Sequence, residues 1–154
     1  MDIISDIILN KTLVAACISW LAAQLIKTVV DLVLYRSFNP ERLVGSGGMP
    51  SSHSSTVCAL CTMALLEYGV ASFQFSVTFI LAMVVMYDAA GVRRETGKQA
   101  VVLNAILRET PFPWKNEVLD QRLKELVGHT PLQVVAGAVL GVIIALLLWN
   151  LVYI

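Results

Sequence analysis

Charge is scarce in this sequence. Asp, Glu, Lys and Arg make up 14% of its 154 residues, where a soluble domain carries about 25%. Apolar residues reach 57%, above the usual ~45–50%. Both departures point to lipid as the solvent, and no nucleic-acid partner is expected. The formal net charge is zero, and it identifies no partner because the charges are segregated along the chain. Cysteine is scarce as well: Cys17, Cys58 and Cys61 all lie in apolar stretches. Cys58 and Cys61 spell C-x-x-C, but on a helix without a redox loop, so packed or lipid-facing thiols are expected and no metal or cofactor. The start of the chain, Met1-Asp2-Ile3-Ile4-Ser5-Asp6, lacks the basic region and small-residue cleavage site of a signal peptide. The first apolar segment is therefore expected to stay as a span.

What is present is hydrophobic length. About 20 mostly apolar residues cross the hydrocarbon core as a helix, and four segments qualify: about 12–34, 50–69, 70–91 and 131–154. The expected fold is an all-α membrane bundle of about four transmembrane helices in a single domain, 1–154. The short turn Glu67-Tyr68-Gly69-Val70-Ala71-Ser72 makes the second and third spans an antiparallel hairpin. Nine of the eleven Lys and Arg residues fall in two loops: Arg36 and Arg42, then Arg93, Arg94, Lys98, Arg108, Lys115, Arg122 and Lys124. With four spans both loops share one side, and the positive-inside rule makes it the cytoplasmic one, with both termini outside. The expected setting is a bacterial cytoplasmic membrane.

The segment 92–130 is more than a linker. Val101, Val102, Ala105 and Ile106, then Val118, Leu119, Leu123 and Leu126, recur at helical spacing among charges, separated by Phe112-Pro113-Trp114. Two short amphipathic helices at the membrane interface are expected, with Trp114 at headgroup level. A cytoplasmic hairpin packed on itself is the alternative.

Three polar clusters converge on that cytoplasmic face. The first is Gly47-Gly48-Met49-Pro50-Ser51-Ser52-His53-Ser54-Ser55. Glycines permit close backbone approach, Pro50 suits a first helical turn, and the serines and free N–H groups make a helix N-terminus that welcomes an anion. His53 can donate a proton to whatever those amides hold. A serine-rich cap with an incidental histidine is the plainer reading. The second cluster is Asp88-Ala89-Ala90-Gly91-Val92-Arg93-Arg94. Arginines supply planar, bidentate phosphate recognition. The two point in different directions on a helix, so one of them faces the site. A stop-transfer charge cluster explains the arginines but not Asp88, an ionisable residue inside the apolar segment. The third is Gly128-His129-Thr130-Pro131-Leu132-Gln133. His129 and Gln133 share a helical face if the turn begins at His129, so that Gln133 holds one ring nitrogen and frees the other. A glycine–histidine turn capping a helix is the alternative.

Lys27 lies in the first span, roughly 13 Å below Arg36 at ~1.5 Å per residue. Gln24, Lys27 and Asp31 form one polar stripe. Either Lys27 pairs with Asp31, or it snorkels to an anion near the headgroups. Finally, Gly137-Ala138-Val139-Leu140-Gly141 is a G-x-x-x-G that permits close helix contact, within the bundle or at a homodimer seam.

Taken in order, Gly48-Met49-Pro50-Ser51-Ser52-His53, Asp88-x-x-Gly91-Val92-Arg93-Arg94 and Gly128-His129-Thr130-Pro131-x-Gln133 resemble the divergent membrane branch related to type-2 phosphatidic acid phosphatases and vanadium haloperoxidases. The resemblance runs from Lys27 to Gly141. It implies Lys27 as the phosphate-binding lysine, His53 as general acid and His129 as nucleophile. Ser51, Ser52, Arg93 and Arg94 would hold phosphate oxygens, with Asp88 and Gly48 supporting. Ser52 stands where the superfamily has glycine, and Gln133 where it has the acid that orients the nucleophile. The superfamily's helical core is also larger than four spans. The implied activity is metal-independent hydrolysis of a phosphorylated membrane lipid through a phosphohistidine. The alternative is a component that binds or transports an anionic headgroup without hydrolysing it.

Overall fold

A computed structural model describes residues 2–35, 48–109 and 128–153. The expected second amphipathic run, with Trp114, Val118, Leu119, Leu123 and Leu126, lies outside the described residues, as do Arg36 and Arg42. The described chain is helical, with no strand. It contains α1 (Ile3–Leu9), α2 (Lys11–Tyr35), α3 (Ser52–Tyr68), α4 (Phe73–Ala90), α5 (Val92–Glu109) and α6 (Pro131–Leu148), the last continuing as a π-helical turn, Trp149–Tyr153.

Local chemistry sets each boundary. The Ser51 hydroxyl caps α3, and the α3–α4 hairpin turns through Gly69, whose φ of +80° suits only glycine without strain. Ser72 opens α4 by accepting the Phe75 N–H at 3.1 Å. Thr130 and Gln133 form a reciprocal capping box at the start of α6, with Pro131 in its first turn. Asn10 separates α1 from α2, its side chain accepting the Leu13 N–H at 3.0 Å. The short α1 was not expected from the sequence.

Three stretches are long and apolar enough to cross a membrane: Lys11–Val33, Phe73–Ile106 and Pro131–Leu151. The remaining expected span, α3, has 17 residues, about 25 Å at ~1.5 Å each, the lower edge of the spanning range. It runs between the same two ends as its neighbours. At one end Thr12 of α2 donates to Glu67 at 3.0 Å and Lys11 Nζ lies 5.3 Å from the Trp149 ring centre. At the other, the Ser51 N–H donates to the Gln133 carbonyl of α6 at 3.0 Å.

Helix α3 is the axis of the bundle, packed by α2, α4 and α6. Nine of the twelve buried apolar residues are alanine, so these helices associate by close backbone approach. Large side chains such as Leu25, Val33, Ile80 and Val135 face outwards. That inversion is the membrane pattern, because lipid tails are as apolar as leucine and give no drive to bury it. Ser19 of α2 and Ser55 of α3 approach with their hydroxyls 2.6 Å apart, and Ser19 also donates to the Ser55 carbonyl at 3.0 Å. Gly137 and Gly141 are buried, and a Cβ at either would overlap the Ser51 or Ser55 carbonyl. The G-x-x-x-G thus provides close packing within the bundle. Both glycines lie against the backbone of α3.

Helix α5 follows α4 across a break at Gly91 (φ −105°, ψ −85°). Val101, Val102 and Ile106 point outwards while Gly97, Ala100 and Asn104 are buried. Its apolar stripe is therefore turned out of the bundle, as an interfacial helix requires.

Candidate active site

The N-terminus of α3 supplies the floor. Ser51 and Ser52 are buried, and the Ser51 hydroxyl accepts from the Ser54 N–H (3.4 Å) and the Ser54 hydroxyl (3.1 Å). Ser51 is thus both the cap and the anchor to α6. The N–H groups of Ser52 and His53 fall among the first-turn donors that no helix can pair internally. His53 stands on this turn, half-buried.

His129 is placed by its main chain. Its N–H donates to the Ala89 carbonyl at the end of α4, at 2.9 Å. Gly128 makes this possible: its φ is +88°, and a Cβ there would lie 2.7 Å from the Arg93 carbonyl carbon and overlap the Arg94 nitrogen. The His129 ring is 2% exposed and meets His53 edge-on, with ring centres 5.7 Å apart at 65°. Both ring nitrogens of His129 and the Nδ1 of His53 are buried without a hydrogen-bond partner among the described residues. Buried polar atoms are almost always paired, so three orphans in one place call for a ligand. Burial depresses the pKa of His129 below the ordinary value, and the nearby His53 and Lys27 add to this. Gln133 and the Gly48 carbonyl pull the other way, without bonding the ring in good geometry. The net direction is down, so the ring stays neutral at pH 7.

Lys27 and Arg93 bring positive charge. Lys27 is 1% exposed, and its charge reaches both rings. Its stem runs under Gly48, where a Cβ would lie 2.7 Å from Cδ. Gly48 has φ +100° and no room for a side chain. Arg93 donates through Nε to Asp88 Oδ2 at 2.7 Å, both groups being half-exposed. Its charge also reaches His53. Arg93 is therefore the member of the pair that faces the site, while the Arg94 main chain abuts Gly128.

The three sequence clusters and Lys27 converge at one end of the bundle, beyond the hydrogen bonds that join α3 to α6 and α4 to His129. This is the arrangement the motif resemblance implies. Residues 8–144 match the family model described as the Divergent PAP2 family. The chain belongs to that family. A relative, the "Uncharacterized membrane protein YuiD" of Bacillus subtilis (strain 168), is 36% identical over 152 residues, covering 93% of this chain and 96% of its own length. No solved structure matches.

Within this Divergent PAP2 chain one expected geometry is different. The helix begins at Pro131 with Thr130 as its cap, so His129 precedes the helix and the four-residue spacing to Gln133 is not helical. The Gln133 Oε1 accepts the Thr130 N–H at 2.9 Å, so the glutamine's first duty is to close the cap. The sequence reading also missed the Ala89 carbonyl, for which the only signal was the glycine two residues further on. Ser54 and Ser55, two of the hydroxyls expected to welcome an anion, serve the cap and the α2 contact instead.

Proposed function

We propose that this chain is a lipid phosphatase of the membrane interface, hydrolysing a phosphomonoester or pyrophosphate on a lipid headgroup at the cytoplasmic leaflet. The observation that carries this reading is the edge-on pair His53–His129, with three unpaired buried ring nitrogens beside the buried Lys27. A neutral His129 attacks phosphorus while the bond to the headgroup oxygen breaks, and His53 gives its proton to that oxygen. Water then attacks the phosphohistidine, loses its proton to His53, and releases phosphate and neutral His129. Lys27, the free edge of Arg93 and the amides at Ser52 and His53 hold the negative charge that builds on the phosphoryl oxygens.

A second reading is favoured by one observation: Gln133 replaces the expected carboxylate, and its oxygen is occupied by Thr130. The site would then bind or transport an anionic headgroup without turnover. Phosphate release from phosphorylated lipids in detergent separates the two. His129→Ala should abolish release, and His53→Ala should slow it about 10²–10⁴-fold, the usual worth of acid–base catalysis. A nitrophenyl phosphate should partly rescue the His53 change, since its leaving group needs less protonation, and should leave the His129 change silent. Saturable lipid binding without release by the unmodified protein would select the binding reading.

A further inference from the structure

We propose that the helix break at Gly91 and the bare Cα of Gly128 form one positioning device, which fixes His129 in the same frame as Arg93. The inference rests on reading His129 as the reacting group. In an unbroken helix the Ala89 carbonyl would accept the N–H four residues on, that of Arg93. Because α4 stops at Ala90 and α5 restarts at Val92, Arg93 sits in a new first turn, and the last carbonyls of α4 need other partners. The Ala89 carbonyl takes the N–H of His129 at 2.9 Å. That bond is reachable only because Gly128 lays its backbone directly on the backbone of Arg93 and Arg94. These are main-chain contacts, so no rotamer change relieves a Cβ there.

The consequence is mechanical coupling. The junction that holds the Ala89 carbonyl also carries the Asp88–Arg93 pair, bonded at 2.7 Å. A shift of α5 moves the group that would grip phosphate and the ring that would attack it together. Around that ring stand Lys27 from α2, His53 from α3, the Gly48 carbonyl and Gln133 from α6, while Asp88 and Arg93 at the junction bear on the neighbouring His53. Gly91 and Gly128 touch none of the reacting atoms, and act through where His129 stands.

The test is histidine ring NMR of the full chain in detergent, with kcat and KM measured beside it. The chain has two histidines, so the spectrum carries two ring signals, assigned with a His53→Gln sample. Gly91→Ala favours an unbroken helix by about 1 kcal/mol in propensity and returns the Ala89 carbonyl to Arg93. The His129 signal should move, its titration midpoint should rise towards the ordinary histidine value, and kcat should fall about 10²-fold, the usual effect of a misplacement near 1 Å. KM should stay within about threefold, because Arg93 and Lys27 remain. Gly128→Asn separates collision from conformation: asparagine tolerates positive φ but still carries a Cβ. It should be as impaired as Gly128→Ala, and an asparagine variant equal to the unmodified protein would overturn the proposal. So would a Gly91→Ala protein whose His129 midpoint and kcat both stay within error of the parent. The Gly91 variant decides the matter if the Gly128 variants do not fold. Should the ring signals move as expected in a protein that releases no phosphate, the positioning device stands and the phosphatase reading falls.

Discussion

Enlarging Gly141 by one methyl group tests how this bundle is held together. A Cβ there overlaps the Ser55 carbonyl oxygen and comes within 3.0 Å of the Ala59 nitrogen, where ordinary contact starts at 3.4 Å. Helix α6 must therefore retreat from α3 by at least about 0.4 Å, and further at the carbonyl. A gap of 0.5–1 Å forfeits roughly a quarter to a half of each dispersion contact across the interface, and overpacking costs about 1–3 kcal/mol in total. For a chain of this size each kcal/mol moves Tm by about 2–4 °C, so Gly141→Ala should melt roughly 2–12 °C lower in detergent. Gly137→Ala should lose a similar amount and damage the site too. Its Cβ falls on Ser51, the residue that caps α3 beneath His53 and donates to the Gln133 carbonyl at 3.0 Å. Phosphate release should thus drop at least tenfold more for Gly137→Ala than for Gly141→Ala. Melting curves, activity and light-scattering mass of the three proteins make the comparison. Unchanged melting with a change of mass would place these glycines between chains and refute the reasoning.

Other outcomes follow from the site. The folded pKa of His129 lies below the ordinary histidine value of about 6.5. Below that pH the unfolded state binds more protons, so stability should fall by about 1.4 kcal/mol per pH unit from ~6.5 down to the folded pKa. His129→Gln should flatten that slope in melts taken from pH 7.5 to 5, and the acid limb of kcat should lie below 6.5. A His129→Gln slope equal to the parent's would contradict the burial argument. Gln133→Glu keeps the capping box and adds a negative charge beside His129, so melting should hold while the acid limb moves up. Gln133→Leu breaks the cap and should cost about 0.5–2 kcal/mol, the worth of capping interactions. Coincident melts and pH profiles for both changes would remove Gln133 from both roles. A cysteine placed at Val127 in a background lacking Cys17, Cys58 and Cys61 should label from the cytoplasmic side, and labelling only from outside would reverse the topology.

Much of the fold was legible because lipid imposes length. Apolar stretches and a short glycine turn were enough for an all-α membrane bundle with its polar motifs at one end, though three stretches rather than four are long and apolar enough to span among the described residues. Lys27 and Asp88 stood out because ionisable residues inside apolar segments are costly. What stayed hidden depends on direction around a helix. An almost uniformly apolar α2 gives no contrast between inner and outer faces, so the buried line Ala15, Ser19, Ala23 and Lys27 could not be picked out. A G-x-x-x-G reads the same whether its partner is in the same chain or another. Gln133 reads as a partner for His129 only if the helical turn begins at His129, and the Thr130 cap starts it at Pro131 instead. Arg93 and Arg94 are separated only by the Gly91 break, which turns one to Asp88 and lays the backbone of the other on Gly128.

The shortness of α3 bears on the membrane itself. Its far end is tied at Glu67 to the start of α2, so any shortfall against a hydrocarbon slab about 30 Å thick falls at the histidine end. The helix measures about 25 Å, and its polar first turn removes roughly another 5 Å of apolar length. The serine hydroxyls of that turn are buried among α2, α4 and α6, so the polar end is reached by lipid only at the rim of the bundle. A bilayer answers such a mismatch by thinning locally, at a cost of a fraction of a kcal/mol per Å. If a headgroup is the ligand of His53 and His129, such thinning would bring it closer, and short-chain lipids would reach that depth with less deformation than long-chain ones. Membrane thickness would then set access to the proposed site, with no moving part in the protein.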